Sequence, residues 1–113
     1  MENLFRITDP RGIEITCNKL RWENHVISNK PIMKENVDAV KNTVETPDVI
    51  YGSEGHLSRD VYFKKDSGAT FSDMFFTKVI VEVGEKKGEV VTAFPKEHIA
   101  GNIGELKYVK PKL

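Results

Sequence analysis

The spacing of apolar residues predicts a helix in the second quarter of the chain. Four apolar residues recur at spacings of four, three and four, which places them on one helical stripe: Met33, Val37, Val40 and Val44. Pro31 suits the first turn of this helix, and Pro47 ends it at Thr46 because the residue before a proline avoids helical geometry. Such a stripe needs an apolar surface to cover.

A shorter helix is predicted before it, from about Asn18 to Ser28. Asn18 belongs to the residue types that cap helix N-termini well. The apolar residues of this segment fall on one broad arc: Leu20, Trp22, Val26 and Ile27. Arg21 and His25 are four residues apart and lie together beside that arc. We therefore expect His25 at the border between core and solvent.

The rest of the chain has the two-residue period of β-strands. Apolar runs on both sides of Asp9–Gly12 predict an N-terminal hairpin, because that segment carries the proline and glycine of a tight turn. After Asp48, strands are predicted at 49–51, 59–65, 75–83 and 89–94. Short connections between them predict an antiparallel meander.

These elements predict an α+β fold in which N-terminal helices pack on one face of a roughly four-stranded antiparallel sheet. The length of 113 residues indicates one domain, 1–113. Its parts are an N-terminal hairpin (1–17), a helical part (18–46), the sheet (48–95) and a tail (96–113). Three residues of the tail can add an edge strand, namely Leu106, Tyr108 and Val109.

Charge and cysteine content narrow the possible functions. The 17 basic and 17 acidic residues cancel, which argues against strong non-specific DNA binding but leaves room for a local cationic cleft. Cys17 is the only cysteine, so neither an internal disulfide nor a cysteine-based zinc site can form. No apolar run approaches the roughly 18 residues of a membrane span, and no secretory leader is visible. We therefore expect a cytoplasmic protein without a membrane partner.

The residue types fit cleavage of RNA by its own 2′-hydroxyl, a reaction that needs a base, an acid and donors on the phosphate. His25 can be the base or the acid, because an imidazole exchanges protons near neutral pH. Lys64 or Arg59 can offset charge on the phosphorane, and Tyr62 and Thr92 can donate hydrogen bonds. A boundary histidine and a strand tyrosine are also compatible with purely structural roles.

The order of several short motifs between residues 20 and 96 resembles a nuclease superfamily. The motifs are Trp22-x-x-His25-Val26, Thr46-Pro47-Asp48-Val49-Ile50-Tyr51, Arg59-x-x-Tyr62-x-Lys64, Lys78-Val79-Ile80-Val81-Glu82-Val83 and Val90-Val91-Thr92-Ala93-Phe94-Pro95. Together they resemble the phage and mobile-element branch of the barnase–EndoU–colicin–RelE-like nucleases. The resemblance implies a phage-borne or toxin-like endoribonuclease that needs neither metal nor cofactor.

The resemblance also implies which residues act. His25 corresponds to the helix histidine of the family, Tyr62 and Lys64 to its aromatic-x-basic strand, and Thr92 to its late strand hydroxyl. These four form the predicted catalytic set. The predicted substrate contacts are the cationic residues Arg21, Lys30, Arg59 and Lys78.

One departure from the family pattern keeps a second function open. Related sequences often have a second histidine just before the proline that follows the first helix, whereas here Lys30 precedes Pro31. A lysine is a poor acid–base group near pH 7 unless it is buried, although it can hold a phosphate. The alternative is a catalytically inert interaction domain on the same scaffold, acting as an immunity, antitoxin or phage accessory protein. The expected partners are thus RNA and an inhibitor or immunity protein.

Overall fold

The computed structural model describes residues 2–112. The strands are β1 (Asn3–Thr8), β2 (Glu14–Asn18), β3 (Val49–Ser53), β4 (Arg59–Lys64), β5 (Phe76–Val83), β6 (Lys87–Lys96) and β7 (Ile103–Val109). The helices are α1 (Lys19–Arg21), which continues as a π-helical turn (Trp22–Ile27), and α2 (Val37–Glu45), which follows a 3-10 turn (Pro31–Glu35).

The strands form one seven-stranded mixed sheet in the order β1-β2-β6-β5-β4-β3-β7. The predicted fold class, helices on a roughly four-stranded antiparallel sheet, is therefore wrong. The predicted meander is present as β3–β6, but the N-terminal hairpin joins it through parallel pairing of β2 with β6. The tail adds β7 beside β3, as an edge strand.

The parallel pairing of β2 and β6 depends on a glycine in β6. Ile15 of β2 lies opposite Gly88, and a Cβ built on Gly88 would stand 2.8 Å from Ile15 Cδ1 and 2.9 Å from Val81 Cγ1. Real Cβ atoms do not approach other atoms so closely. Gly88 therefore lets these side chains meet over the backbone of β6, a close approach typical of strand glycines.

Short helices lie in both predicted helical segments, and most of their apolar residues pack into a common core, whereas Leu20 is 59% exposed. The Asn18 side chain accepts a hydrogen bond from Arg21 N at 3.0 Å, as expected for an N-cap. Trp22 and Val26 are buried in the same core cluster as Val40 and Val44 of α2. Helix α2 packs against β1, β4 and β5, so one face of the sheet meets the helices.

The opposite face of the sheet is partly covered by the connection between β6 and β7. We call this connection, residues 97–102, the strap. Lys78 of β5 donates from Nζ to the carbonyl oxygens of Ala100 at 2.9 Å and Gly101 at 2.8 Å. Its neighbour Val79 belongs to the core on the helix side, so Lys78 and the strap lie on the other side.

No helix within residues 2–112 is both long enough and apolar enough to span a bilayer.

Candidate functional site

A groove of about 440 Å³ lies on the sheet face opposite α2. The strand register brings four of its residues into one row, because Thr16 pairs with Glu89, Glu89 with Glu82, and Glu82 with Arg59. Directly paired residues on neighbouring strands share a face. The groove is lined by Thr16, Arg21, Arg59, Glu82, Lys87, Gly88, Glu89 and Val91.

Charged side chains dominate the lining of this groove. Arg59 Nε donates to Glu82 Oε1 at 3.0 Å, and Arg21 Nε lies 3.6 Å from Glu89 Oε1. Lys87 forms no ion pair with any of residues 2–112. Three cationic side chains thus face two carboxylates, which leaves an excess of positive charge and favours a bound anion.

The Glu82 carboxylate holds Arg59 in place. The pKa of Glu82 is lowered from its ordinary value, first by a hydrogen bond from Ser58 and then by one from Arg59. The charges of Arg59 and His56 act in the same direction. Glu82 therefore stays ionised at neutral pH and keeps the guanidinium oriented across the groove.

Two of the sequence-predicted residues line this groove, and two more lie on elements beside it. Arg21 and Arg59 line it directly. Thr92 pairs with Ile80, two residues before Glu82 on β5, so Thr92 shares the face of the groove. His25 follows Arg21 by four residues on the π-helical turn, is exposed, and has Nδ1 3.5 Å from Asn29 Nδ2.

Tyr62 lies on the other face of the sheet and is fully buried. Its hydroxyl donates to Asp9 Oδ2 at 2.7 Å and accepts from Arg11 Nη2 at 3.0 Å. Burial, with smaller contributions from Asp9, raises the pKa of Tyr62 above its ordinary value. The phenol therefore stays protonated and has no surface on which to meet a substrate.

The partners of Tyr62 belong to a buried charge network that joins the β1–β2 turn to the sheet. Asp9 accepts from Arg11 Nη2 at 2.9 Å, and the same nitrogen donates to Asp60 Oδ2 at 2.8 Å. Lys107 Nζ donates to Asp60 Oδ1 at 2.8 Å. Two carboxylates are thus neutralised by two cations, so each buried charge is paired, as burial requires.

Lys64 is also on the helix face, outside the groove. Its Nζ donates to Thr46 O at 2.8 Å, at the C-terminal end of α2. It lines a separate groove of about 360 Å³ together with Pro10 and Tyr108. Lys64 and Tyr62 therefore share a face, as the strand period predicted, but the structure does not bring them to the face that carries Thr92.

The two remaining predicted contacts are also outside the groove. Lys78 is only 4% exposed, and its ammonium lies 5.5 Å from the Phe63 ring centroid beneath the strap. Burial, and then the charge of Lys96, lowers the pKa of Lys78. Lys30 is exposed directly before the 3-10 turn that begins at Pro31.

Six groove residues were not predicted as site residues, namely Thr16, Glu82, Lys87, Gly88, Glu89 and Val91. Glu82 alternates with the apolar residues of β5, which marks it as facing away from the core, and this signal was available in the sequence. The pairing of Thr16 with Glu89 could not be predicted from the sequence, because it depends on the parallel register of β2 and β6. Only the tertiary structure unites these residues.

Other types of site find little support in the described part of the chain. Among residues 2–112, no group of three or more His, Cys, Asp or Glu side chains is arranged to hold a metal ion. Cys17 is buried, and burial together with the charge of Glu89 raises the pKa of its thiol to about 12. A thiol of this kind is a packing residue, because only the thiolate reacts readily.

Comparison with known proteins finds no match to this chain among family models, curated proteins or solved structures.

Proposed function

We propose that the groove binds a phosphodiester of RNA and that the protein is a metal-independent endoribonuclease. The observation that carries this proposal is the convergence of Arg21, Arg59 and Lys87 in one concave surface. Arginine is suited to phosphate because its planar fork of donors matches two phosphate oxygens. Glu82 orients the Arg59 guanidinium by accepting its hydrogen bond at 3.0 Å, and Glu89 forms a longer ion pair with Arg21 at 3.6 Å.

The cleavage chemistry follows from the groups around the groove. The 2′-hydroxyl of RNA loses a proton and attacks the adjacent phosphorus, and the 5′-oxygen leaves. His25, one turn beyond Arg21, is suited to accept the proton, since imidazole is a base near neutral pH. Arg21 and Arg59 stabilise the charge that builds on the phosphorane, and Thr92 offers a hydroxyl on the same face.

A second candidate function is supported by the same ion pairs. Each arginine of the groove already has a carboxylate partner, and the net charge of the chain is +0. A surface with satisfied charges can serve recognition alone. This favours an inert interaction domain, with an immunity or inhibitor protein as the partner.

Incubation of the purified protein with labelled RNA in excess chelator distinguishes the two functions. The enzyme is expected to release fragments that end in a 2′,3′-cyclic phosphate. The double variant Arg21→Ala/Arg59→Ala should cut about 10²-fold more slowly or worse, the scale for losing donors to a developing oxyanion. Lys34→Ala is the control for a lost surface charge, because Lys34 is an exposed cation of the 3-10 turn, which packs with α2 on the opposite side of the sheet.

The result also decides between the two candidates. RNA that stays intact at high protein concentration contradicts the ribonuclease and leaves the interaction domain. Equal losses in the groove variant and in Lys34→Ala would mean that general electrostatic attraction, rather than the groove, drives cleavage.

A further inference from the structure

Cleavage of RNA in the groove, as proposed above, requires a second proton-transfer group. The attacking 2′-oxygen and the leaving 5′-oxygen lie on opposite sides of the phosphorus, because the displacement is in line. A base on one flank therefore needs an acid on the other flank, where the leaving oxygen gains a proton. His25 lies on the π-helical turn, which packs against β6, and Arg21 just before this turn pairs with Glu89 of β6. His25 is therefore on the β6 flank of the groove.

The opposite flank is formed by β4 and β5 and by the turn that precedes β4. In this turn Arg59 N donates to the carbonyl oxygen of His56 at 3.0 Å. Val83 N donates to Ser58 O at 2.7 Å, which ties the turn to the end of β5. The turn is thus attached to both strands that carry the Arg59–Glu82 pair.

The side chain of His56 is available on this flank. The residue is exposed. The backbone bonds of the turn place His56 beside the start of β4 and the end of β5, where Arg59 and Glu82 lie. In agreement with this position, the charge of His56 contributes, after the hydrogen bonds from Ser58 and Arg59, to the lowered pKa of Glu82. The groove charges next to this turn are Glu82 and Arg59, one of each sign. Imidazole is the side chain best suited to proton transfer near neutral pH.

We propose that His56 is the general acid of the reaction and donates a proton to the leaving 5′-oxygen of RNA. The inference rests on the proposed ribonuclease function. In this scheme the O–P bond to the 5′-oxygen breaks, that oxygen takes the proton of His56, and the 2′-oxygen forms the new bond to phosphorus. The proton taken by His25 balances the one that His56 gives.

The test compares two substrates that differ in their leaving group. A dinucleotide such as UpA has a poor alkoxide leaving group that needs a proton, whereas uridine 3′-(4-nitrophenyl phosphate) releases a phenolate that does not. His56→Ala should lower kcat on UpA by about 10²-fold or more and leave the nitrophenyl ester nearly unchanged. His25→Ala should impair both substrates, because both require activation of the 2′-hydroxyl.

His98→Ala serves as the control, since His98 is an exposed histidine of the strap. Selective loss on UpA in His56→Ala supports the inference. Wild-type rates on both substrates in this variant overturn it and leave the ribonuclease function standing. Equal loss on both substrates also overturns it, because a leaving-group acid cannot matter to a phenolate. If the wild type cleaves neither substrate, the proposed function fails and the inference fails with it.

Discussion

Replacement of Tyr62 by phenylalanine separates a structural role for this residue from a catalytic one. The hydroxyl donates to the buried Asp9 carboxylate at 2.7 Å. Net contributions of hydrogen bonds to charged groups are about 1.5–3 kcal/mol. Asp9 keeps four other donor contacts, from Arg11 N at 2.8 Å, Arg11 Nε at 3.1 Å, Arg11 Nη2 at 2.9 Å and Ile13 N at 3.0 Å, so no orphaned charge is left behind. We therefore expect a loss near the lower end of this range, about 2 kcal/mol.

This loss can be measured as a change in melting temperature and in the urea midpoint. With an unfolding entropy of about 2.1 cal/mol/K per residue, 1 kcal/mol corresponds to roughly 4 °C in a chain of 113 residues. Tyr62→Phe should therefore melt about 8 °C below the wild type. Tyr51→Phe is the matched control, because Tyr51 is only half-buried and its ring meets Phe63 edge-on, a contact that phenylalanine retains.

The same variant should retain RNA cleavage at temperatures where it is folded. Tyr62 is fully buried on the face away from the groove, so its hydroxyl has no route to a phosphate. A variant with wild-type melting behaviour and lost cleavage would refute this reasoning and restore Tyr62 as a catalytic residue.

Three further predictions follow from the groove, the strap and the buried residues. Arg59→Ala should weaken RNA binding and reduce the slope of log K against log salt by about 1, as measured by titration at several salt concentrations. Gly101 and Gly12 both have φ +90°, but a Cβ on Gly101 would stand 2.8 Å from Lys78 Nζ and one on Gly12 meets nothing within 4 Å. Urea denaturation should therefore show a larger loss for Gly101→Ala than for Gly12→Ala, because the buried Lys78 ammonium must move away from the strap carbonyls that it binds. Equal losses would mean that the ammonium moves without cost. Cys17 should resist a thiol reagent at pH 8 in the folded protein, because burial raises the pKa of its thiol to about 12. For the same reason, the contribution of Cys17 to the free energy of unfolding is lost as the pH rises from about 9 through 12.

Local features of the fold could be predicted because they depend on neighbours in sequence. The N-terminal hairpin forms around the predicted Asp9–Gly12 turn, and α2 ends at Glu45, just before Thr46 and Pro47. The strand predicted at 59–65 agrees with β4, Arg59–Lys64. Turn chemistry, proline geometry and a two-residue period suffice for such elements.

The arrangement of the strands could not be predicted in the same way. The parallel pairing of β2 with β6 joins residues about seventy positions apart, and nothing in either segment specifies the other. The burial of Tyr62 has a similar cause. The β1–β2 turn places Asp9 and Arg11 on a face of β4 that, from its alternating residues, looks partly polar and solvent-exposed. Which face of β4 is exposed to solvent is therefore determined by long-range strand pairing, and the local sequence does not indicate this pairing.

Titration of isotopically labelled protein with a short 2′-O-methyl RNA, which cannot be cleaved, tests the RNA-binding groove most directly. NMR shifts are expected to concentrate on the amides of Thr16, Gly88 and Glu89 and on the Nε groups of Arg21 and Arg59. Shifts that centre instead on the second groove, around Pro10, Lys64 and Tyr108, or no shifts at millimolar RNA, would contradict binding in the proposed groove.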